Sequence, residues 1–336
     1  MTDTIRIGIC GYGNLGRGVE KNIQKASDMD LVGVFTRRPP ETLETIFQST
    51  KVYHVDDLKH MTDDIDVLIL CGGSATDLTE QSPMYGKLYN IVDSFDNHSK
   101  IPEHMAKVNQ AAKENNHTAV ISAGWDPGLF SLNRLIAEAV LPEGDTYTFW
   151  GKGVSQGHSD AIRRIEGVSG AVQYTIPIEE ALEKVREGTA GHLTAGEKHK
   201  RQCFVVPKEG ADRAKITEEI VNMPAYFKDY DTEVNFITKE ELEKNHKAMP
   251  HGGKVIRTGF TASNEPSGEY TKNKHLYEFS LDLESNPEFT SSVLLAYARA
   301  CFKMSKMGNY GAKSVLEIPP YLLSPKSIDQ LYKEIL

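Results

Sequence analysis

Thr36-Arg37-Arg38 stands where an apolar strand ends, about twenty residues beyond Gly11-Tyr12-Gly13-Asn14-Leu15-Gly16. The glycine run has the G-x-G-x-x-G spacing. Its first glycine permits a tight turn, its second lets the backbone approach a pyrophosphate, and its third lets helix and strand pack closely. Asn14 and Leu15 open the helix that follows, whose free N–H groups and positive dipole end favour phosphate. A unit built for NAD places Asp or Glu at the end of the second strand to hold the ribose 2′-hydroxyl. This chain has none there. Thr36 suits a phosphate oxygen, and the planar forks of Arg37 and Arg38 suit a 2′-phosphate. The predicted cofactor is therefore NADP(H). Taken alone, the arginine pair also reads as a solvated surface feature.

Further small and acidic residues close the later strands of the first half. Cys71-Gly72-Gly73-Ser74 follows one, Asp96 the next, and Asp126-Pro127-Gly128 the last. Each is ordinary loop chemistry by itself, and Asp126 before Pro127 also suits a helix cap. Several at one sheet edge predict a ligand cleft. The second half offers Trp150, Gln156, His158, Thr175, Arg201 and His251. Arg201 and His251 suit a carboxylate, Asp96 and Asp126 an ammonium. Acid and base together predict a zwitterion such as an amino acid. As a run, Lys198-His199-Lys200-Arg201 also reads as a solvated strand entry. A substrate domain joined to an NADP-binding domain predicts hydride transfer.

The elements that must position these residues follow from apolar patterning. Continuous runs at 5–10, 31–35, 66–71, 90–93 and 118–122 read as buried parallel strands. Between them, helices are predicted over 14–26, 41–49, 76–90, 102–115 and 128–140. Past that the alternation of strand and helix stops. Strands at 170–176, 199–206, 233–237, 254–259 and 276–283 with charged helices predict an α+β region with a mixed sheet. A helix over 288–307 is expected to return to the first domain. The predicted fold class is α/β: a Rossmann-type doubly wound domain over 1–122, rejoined by 295–336, and an α+β substrate and dimerisation domain over 123–294.

Composition narrows the function further. With 336 residues, 39% hydrophobic and 25% charged, the chain suits a globular protein of two domains. A net charge of −9 argues against broad nucleic-acid binding. No apolar run reaches membrane-spanning length, and the first strand begins within five residues, so no membrane contact or signal peptide is expected. Four scattered cysteines without C-x-x-C suit free thiols in a reducing cytoplasm. The histidines show no metal-ligand spacing, so no metal is expected. There is no G-x-S-x-G for a serine hydrolase.

These motifs closely resemble the meso-diaminopimelate D-dehydrogenase family. The resemblance rests on Gly11–Arg17, Thr36–Arg38, Cys71–Asp77, Asp96–His98, Gly124–Gly128, Phe149–Gly151, Ser155–Asp160, His199–Val206, Met249–Gly253 and Pro320–Pro325. It implies an NADP-dependent oxidative deamination. The D-carbon of meso-2,6-diaminopimelate would become a carbonyl, giving L-2-amino-6-oxopimelate and ammonia, a reversible step of diaminopimelate and lysine synthesis. It also implies homodimers joined through the middle domain. Carried over residue by residue, the cofactor would meet Tyr12–Leu15, Thr36–Arg38, Cys71, Gly72, Gly73 and Ser74, together with Trp125, Asp126, Pro127, Gly128 and Leu129. The substrate would meet Asp96, Asp126, Trp150, Gln156, Gly157, His158, Ser159, Asp160, Thr175, Arg201, His251 and Asn273. Asn273 lies in Thr261–Lys274, which fits the family pattern only with a gap. Asp96, Asp126 and His158 are the candidates for activating water. The alternatives are another NADP oxidoreductase acting on a D-amino acid, aldehyde or sugar, and a non-enzymatic NADP sensor.

Overall fold

The computed structural model describes residues 4–264 and 270–336. Positions 265–269, inside the stretch that fits the family pattern least well, lie outside the described residues. In chain order the first half runs β1 (Ile5–Cys10), α1 (Asn14–Ile23), β2 (Met29–Thr36), β3 (Val52–His54) and β4 (Val67–Leu70). A single π-helical turn, Ser74–Leu78, leads into α2 (Thr79–Gly86). Then follow β5 (Asn90–Asp93), α3 (Ile101–Glu114), β6 (Thr118–Val120) and α4 (Leu129–Val140). The middle carries β7 (Glu143–Trp150), β8 (Gly153–Val154), α5 (Gln156–Arg163), β9 (Val168–Pro177), α6 (Glu179–Glu187), α7 (Ala195–Lys198), β10 (His199–Pro207) and α8 (Arg213–Val221). It continues through β11 (Thr232–Phe236), α9 (Lys239–Asn245), β12 (His251–Asn264) and β13 (Tyr270–Leu283). The chain closes with α10 (Asn286–Lys306), β14 (Gly311–Lys313) and α11 (Ile328–Ile335).

Two compact units result: Met1–Leu132 with Pro287–Leu336, and Asn133–Asn286. The expected borders at 122/123 and 294/295 fall inside the packing of the first unit. Leu129, Leu132 and Phe289 lie against the same core as Ile7, Val67 and Val120.

The first unit is a seven-stranded sheet in the order β14-β6-β5-β4-β1-β2-β3, with every neighbouring pair parallel. The chain winds from β1 outward through β2 and β3, then restarts at β4 on the other side. The gap between β1 and β4 is thus the switch point where ligands of such sheets bind. Alternate residues supply two cores. Ile7, Ile9, Val67, Ile69 and Val92 face one, while Cys10, Phe35, Leu68, Leu70 and Ile91 face the other. Burial on both faces is why these strands are uninterrupted apolar runs.

One expectation for this unit is corrected. No α-helix forms over 41–49. Pro39 and Pro40 start a short 3₁₀ turn at Pro40–Thr42 instead. Ile46 and Phe47 then donate their backbone N–H groups to the buried carboxylate of Glu20, and Thr50 donates its hydroxyl. The stretch between β2 and β4 also contains edge strand β3, paired with β2 from Val52 to His54.

The second unit holds a mixed sheet, β11-β10-β9-β8, and in addition a separate antiparallel sheet, β13-β12-β7. Ile162, Val205, Ile216 and Phe227 fill the core on one face of the mixed sheet. Phe149, Leu182, Val185 and Ile256 form another core beneath α6. Among the described residues no helix is long and apolar enough to cross a membrane.

Candidate active site

The glycine turn emerges directly from β1. The Gly11 amide donates to Phe35 O at 2.9 Å, which ties the ends of β1 and β2 together. A Cβ on Gly16 would sit 2.3 Å from Gly11 O, so the third glycine is needed for α1 to pack here. A Cβ on Gly13 would meet nothing within 4 Å, so the second glycine faces open space. Beside it lies a cavity of about 470 Å³ at the switch point. Gly11, Tyr12, Gly13, Thr36, Arg37, Arg38, Cys71, Gly72 and Gly73 all line it, as do Phe35, Val55, Asp77 and Gln81. Asn14, Leu15, Gly16 and Ser74 do not.

At the end of β2 the two arginines differ. Arg38 Nη2 reaches Tyr12 O at 3.4 Å, and its amide donates to Thr36 Oγ1 at 3.1 Å. Arg37 pairs with Asp77 at 2.9 Å while staying largely exposed. Asp77 also accepts the Gly73 amide at 3.1 Å. It is an acid in the wall of the same cavity, beside the two arginines. Tyr12 hydrogen-bonds Glu20 through its hydroxyl, and burial beside that acid pushes the phenol up to about 12. Burial likewise raises the Cys71 thiol.

The loops after β4, β5 and β6 converge. Ser74 Oγ accepts the Asp96 amide at 3.0 Å, joining the first two. Asp96 is exposed, whereas Asp126 is half-buried. The segment around Asp126 folds back on itself. Leu129 N–H donates to Gly124 O at 3.1 Å and Phe130 N–H to Trp125 O at 2.8 Å. A Cβ on Gly128, at φ +134°, would overlap Gly124 O, so Pro127-Gly128 is a turn only glycine completes. The Trp125 indole meets Phe130 edge-on at 5.2 Å.

In the second unit, strand register gathers the polar candidates. Gly153, Thr175, Arg201 and Thr232 form one row across β8, β9, β10 and β11. Arg201 is 8% exposed, although His199-Lys200-Arg201 reads as a solvated entry. The strand alternates there: His199 and Arg201 point inward and Lys200 outward. Arg201 Nη1 donates to Thr175 Oγ1, and its guanidinium carbon lies 3.9 Å over the Tyr230 ring. Its Nε has no partner. No carboxylate pairs with it among the described residues, and burial lowers its proton affinity.

Trp150 ends β7 opposite Gly253. Its amide donates to His199 Nε2 at 2.9 Å, and its ring stacks on that imidazole at 5.5 Å. Burial pushes His199 down to about 4, which leaves it the neutral acceptor this contact requires. The loop before β12 closes over β8: Val154 N–H donates to Pro250 O and Gly151 N–H to Gly252 O, each at 2.9 Å. Gln156 Nε2 reaches Met249 Sδ at 3.1 Å. Trp150, Gly153, Gln156 and the Met249–His251 loop are thereby brought together, and the Gly153 row continues to Thr175 and Arg201.

Other candidates find different surroundings. His158 Nδ1 lies 2.7 Å from Ser155 Oγ, and the ring packs edge-on to Tyr226 and Phe227. Burial, then the charge of Arg201, pushes His158 down to about 4, against a hydrogen bond to the Tyr226 backbone. That holds the imidazole neutral near neutral pH, and Asp96, Asp126 and His158 all stay candidates for activating water. Ser159 spends its hydroxyl on the framework, donating to Ser155 O at 2.6 Å and accepting the Gln173 amide at 2.9 Å. Asp160 is exposed and pairs with Arg163. Gly157 has open space before it.

Asn273 sits on β13 opposite Thr261, ten positions along β12 from His251. At the usual strand rise that is about 33 Å, so Asn273 does not join His251 in one protomer. The asparagine that does lie beside this loop is Asn286, whose amide donates to Met249 O at 2.9 Å. It stands at the end of a strand and the start of a helix, where Asn-Pro reads as a cap and hides any other role. Among the described residues no cluster of three His, Cys, Asp or Glu side chains suits a metal ion.

Comparison with known proteins bears on the same residues. Residues 124–285 match the model of the diaminopimelic acid dehydrogenase C-terminal domain. The chain is 60% identical to meso-diaminopimelate D-dehydrogenase of Ureibacillus thermosphaericus over 99% of both chains. A solved structure of C. glutamicum DAP dehydrogenase in complex with DAP is 50% identical, with a TM-score of 0.90 over all of both chains. An engineered D-amino acid dehydrogenase bound to NADP+ is 48% identical, with a TM-score of 0.85, covering 99% of this chain and 100% of its own. The chain therefore belongs to the meso-diaminopimelate D-dehydrogenase family.

Proposed function

We propose that the chain catalyses the NADP-dependent oxidative deamination of the D-centre of meso-2,6-diaminopimelate, giving L-2-amino-6-oxopimelate and ammonia. The observation that carries this reading is Arg201, a buried guanidinium with a free Nε and no carboxylate partner among the described residues. Burying a cation without an anion costs several kcal/mol. A substrate carboxylate removes that cost, with Thr175 accepting from the same guanidinium to fix its plane. Family membership and the relatives crystallised with DAP and with NADP+ support the same assignment.

The residues at the switch point fit NADP. Gly13 leaves room for a pyrophosphate, and Thr36, Arg37 and Arg38 offer donors to a 2′-phosphate at the wall of the cavity. When bound, NADP+ accepts the hydrogen and its electron pair from the D-carbon. The chain's own part is positioning and proton management. Arg201, Thr175 and His251 hold the end of the substrate that does not react. Trp150 covers the aliphatic chain, its ring set by His199. Asp96 and Asp126 orient the reacting ammonium, which gives up one proton to solvent before the hydride leaves, so that loss of the hydride produces an iminium. Asp96, Asp126 or His158 takes a proton from the water that adds to the iminium carbon and returns it to the nitrogen, after which the C–N bond breaks and ammonia leaves. Two fixed ends present only one carbon's hydrogen for transfer, which accounts for stereochemical choice. The protein is taken to act as a homodimer in the cytoplasm.

The test supplies meso-, L,L- and D,D-diaminopimelate with NADP+ or NAD+ and follows absorbance of the reduced cofactor. Turnover of the meso form with NADP+ is expected. No turnover with it, or equal turnover with the L,L form, refutes the assignment. Light scattering tests the dimer.

A further inference from the structure

Asp93 ends β5 with no exposure, and no step of the proposed reaction uses it. Its Oδ2 accepts the Ser82 hydroxyl at 2.6 Å and His104 Nε2 at 2.8 Å. A carboxylate oxygen only accepts, so Nε2 carries the hydrogen. Its Oδ1 accepts the amides of Phe95 at 3.1 Å and Ser122 at 2.8 Å. Its backbone oxygen accepts the Ala123 amide at 2.9 Å. His104 is buried too and stacks flat on Phe95, with ring centroids 4.0 Å apart. No lysine or arginine pairs with Asp93 among the described residues.

A buried carboxylate is costly unless its oxygens are satisfied. What it does here, and an apolar side chain cannot, is hold two backbone amides from two different strand ends. Phe95 immediately precedes Asp96. Ser122 opens the loop that leads to Asp126. Ser122 also stands at φ +55°, a conformation that a residue with a side chain keeps only where its surroundings fix it. The Asp93 contact to its amide supplies that constraint. Ser82, from α2, and His104, from α3, fix the carboxylate from behind.

We infer that Asp93, braced by Ser82 and His104, is a positioning residue that sets the loops carrying Asp96 and Asp126. The inference rests on the proposed role of those two acids in deamination. Asp93 acts through the loops and touches neither substrate nor cofactor.

The experiment compares wild type with His104→Leu, His104→Gln, Asp93→Asn and Ser82→Ala. His104→Leu removes the donor to Asp93, while His104→Gln can restore it. Expected for His104→Leu is at least a tenfold lower kcat on meso-diaminopimelate, with the NADP+ Kd within twofold of wild type, and recovery of most of the loss in His104→Gln. A wild-type kcat in a folded His104→Leu overturns the inference. So does a loss of kcat matched by an equal loss of NADP+ affinity. If His104→Leu does not fold, Asp93→Asn and Ser82→Ala carry the same comparison. Hydrogen exchange over 94–98 and 121–128 reads the contact without turnover. Faster exchange in the variants supports the inference and unchanged exchange overturns it. A wild type that does not turn over the meso form refutes the proposed reaction instead, and the exchange result still decides the positioning role.

Discussion

At the scale of single residues, Arg201 concentrates the argument. Its guanidinium is buried, stacked on Tyr230 and bonded to Thr175, yet nothing neutralises it among the described residues. A charge-assisted bidentate contact of this kind contributes about 1.5–3 kcal/mol per hydrogen bond. Arg201→Leu should therefore raise KM for meso-diaminopimelate at least about tenfold, while NADP+ affinity stays the same. Steady-state kinetics with a separate fluorescence titration of the reduced cofactor distinguish the two. A fall in NADP+ affinity would show that the carboxylate end is misplaced. The type of this residue was readable from the sequence, but its burial was not. Lys198-His199-Lys200-Arg201 looks uniformly polar, and only strand alternation turns His199 and Arg201 inward. Asp93 and Glu20 escaped notice for the same reason. An acid at a strand end or on an amphipathic helix reads as solvated until its donors, which come from distant segments, are known.

At the scale of elements, the parallel strands were readable because each is buried on both faces and so is continuously apolar. Edge strand β3 was not, since its three residues are half-buried and carry no such run. The absent helix over 41–49 had the composition of a helix, but its backbone amides found a better partner in Glu20. At the turn after β2 the sequence shows no acid and two arginines, and both arginines line the cavity. The structure adds Asp77, which pairs with Arg37 and caps the Gly73 turn. The proposed 2′-phosphate would share this corner with that carboxylate, so Arg37 and Arg38 would have to outweigh it. Replacing both arginines with alanine should weaken NADP+ about tenfold to a hundredfold, while NAD+ binding changes little, because only the phosphate contact is lost. Titration with both cofactors checks it, and unchanged selectivity would remove the arginines from the phosphate site.

At the scale of the whole molecule, the order of the chain and the order of folding units differ. The first unit is closed by the last fifty residues, Pro287–Leu336. From them Leu294, Tyr297, Ala298, Cys301 and Met304 enter the same core as β1 and β4. β14 adds the edge strand beside β6, and Arg299 pairs with Asp28. Each large buried side chain is worth about 1.5–3 kcal/mol, and a domain's net stability is only about 5–15 kcal/mol, so the unit cannot tolerate their loss. The second unit is one continuous segment, Asn133–Asn286, with its own cores around Phe227 and Phe149. A chain ending at residue 286 should therefore keep a cooperative thermal transition from the second unit and lose NADP+ binding altogether. The segment 133–286 expressed alone should melt cooperatively as well. Calorimetry with a cofactor titration decides both points. If the shortened chain still binds NADP+, the returning helix is an accessory to the nucleotide domain rather than half of its core.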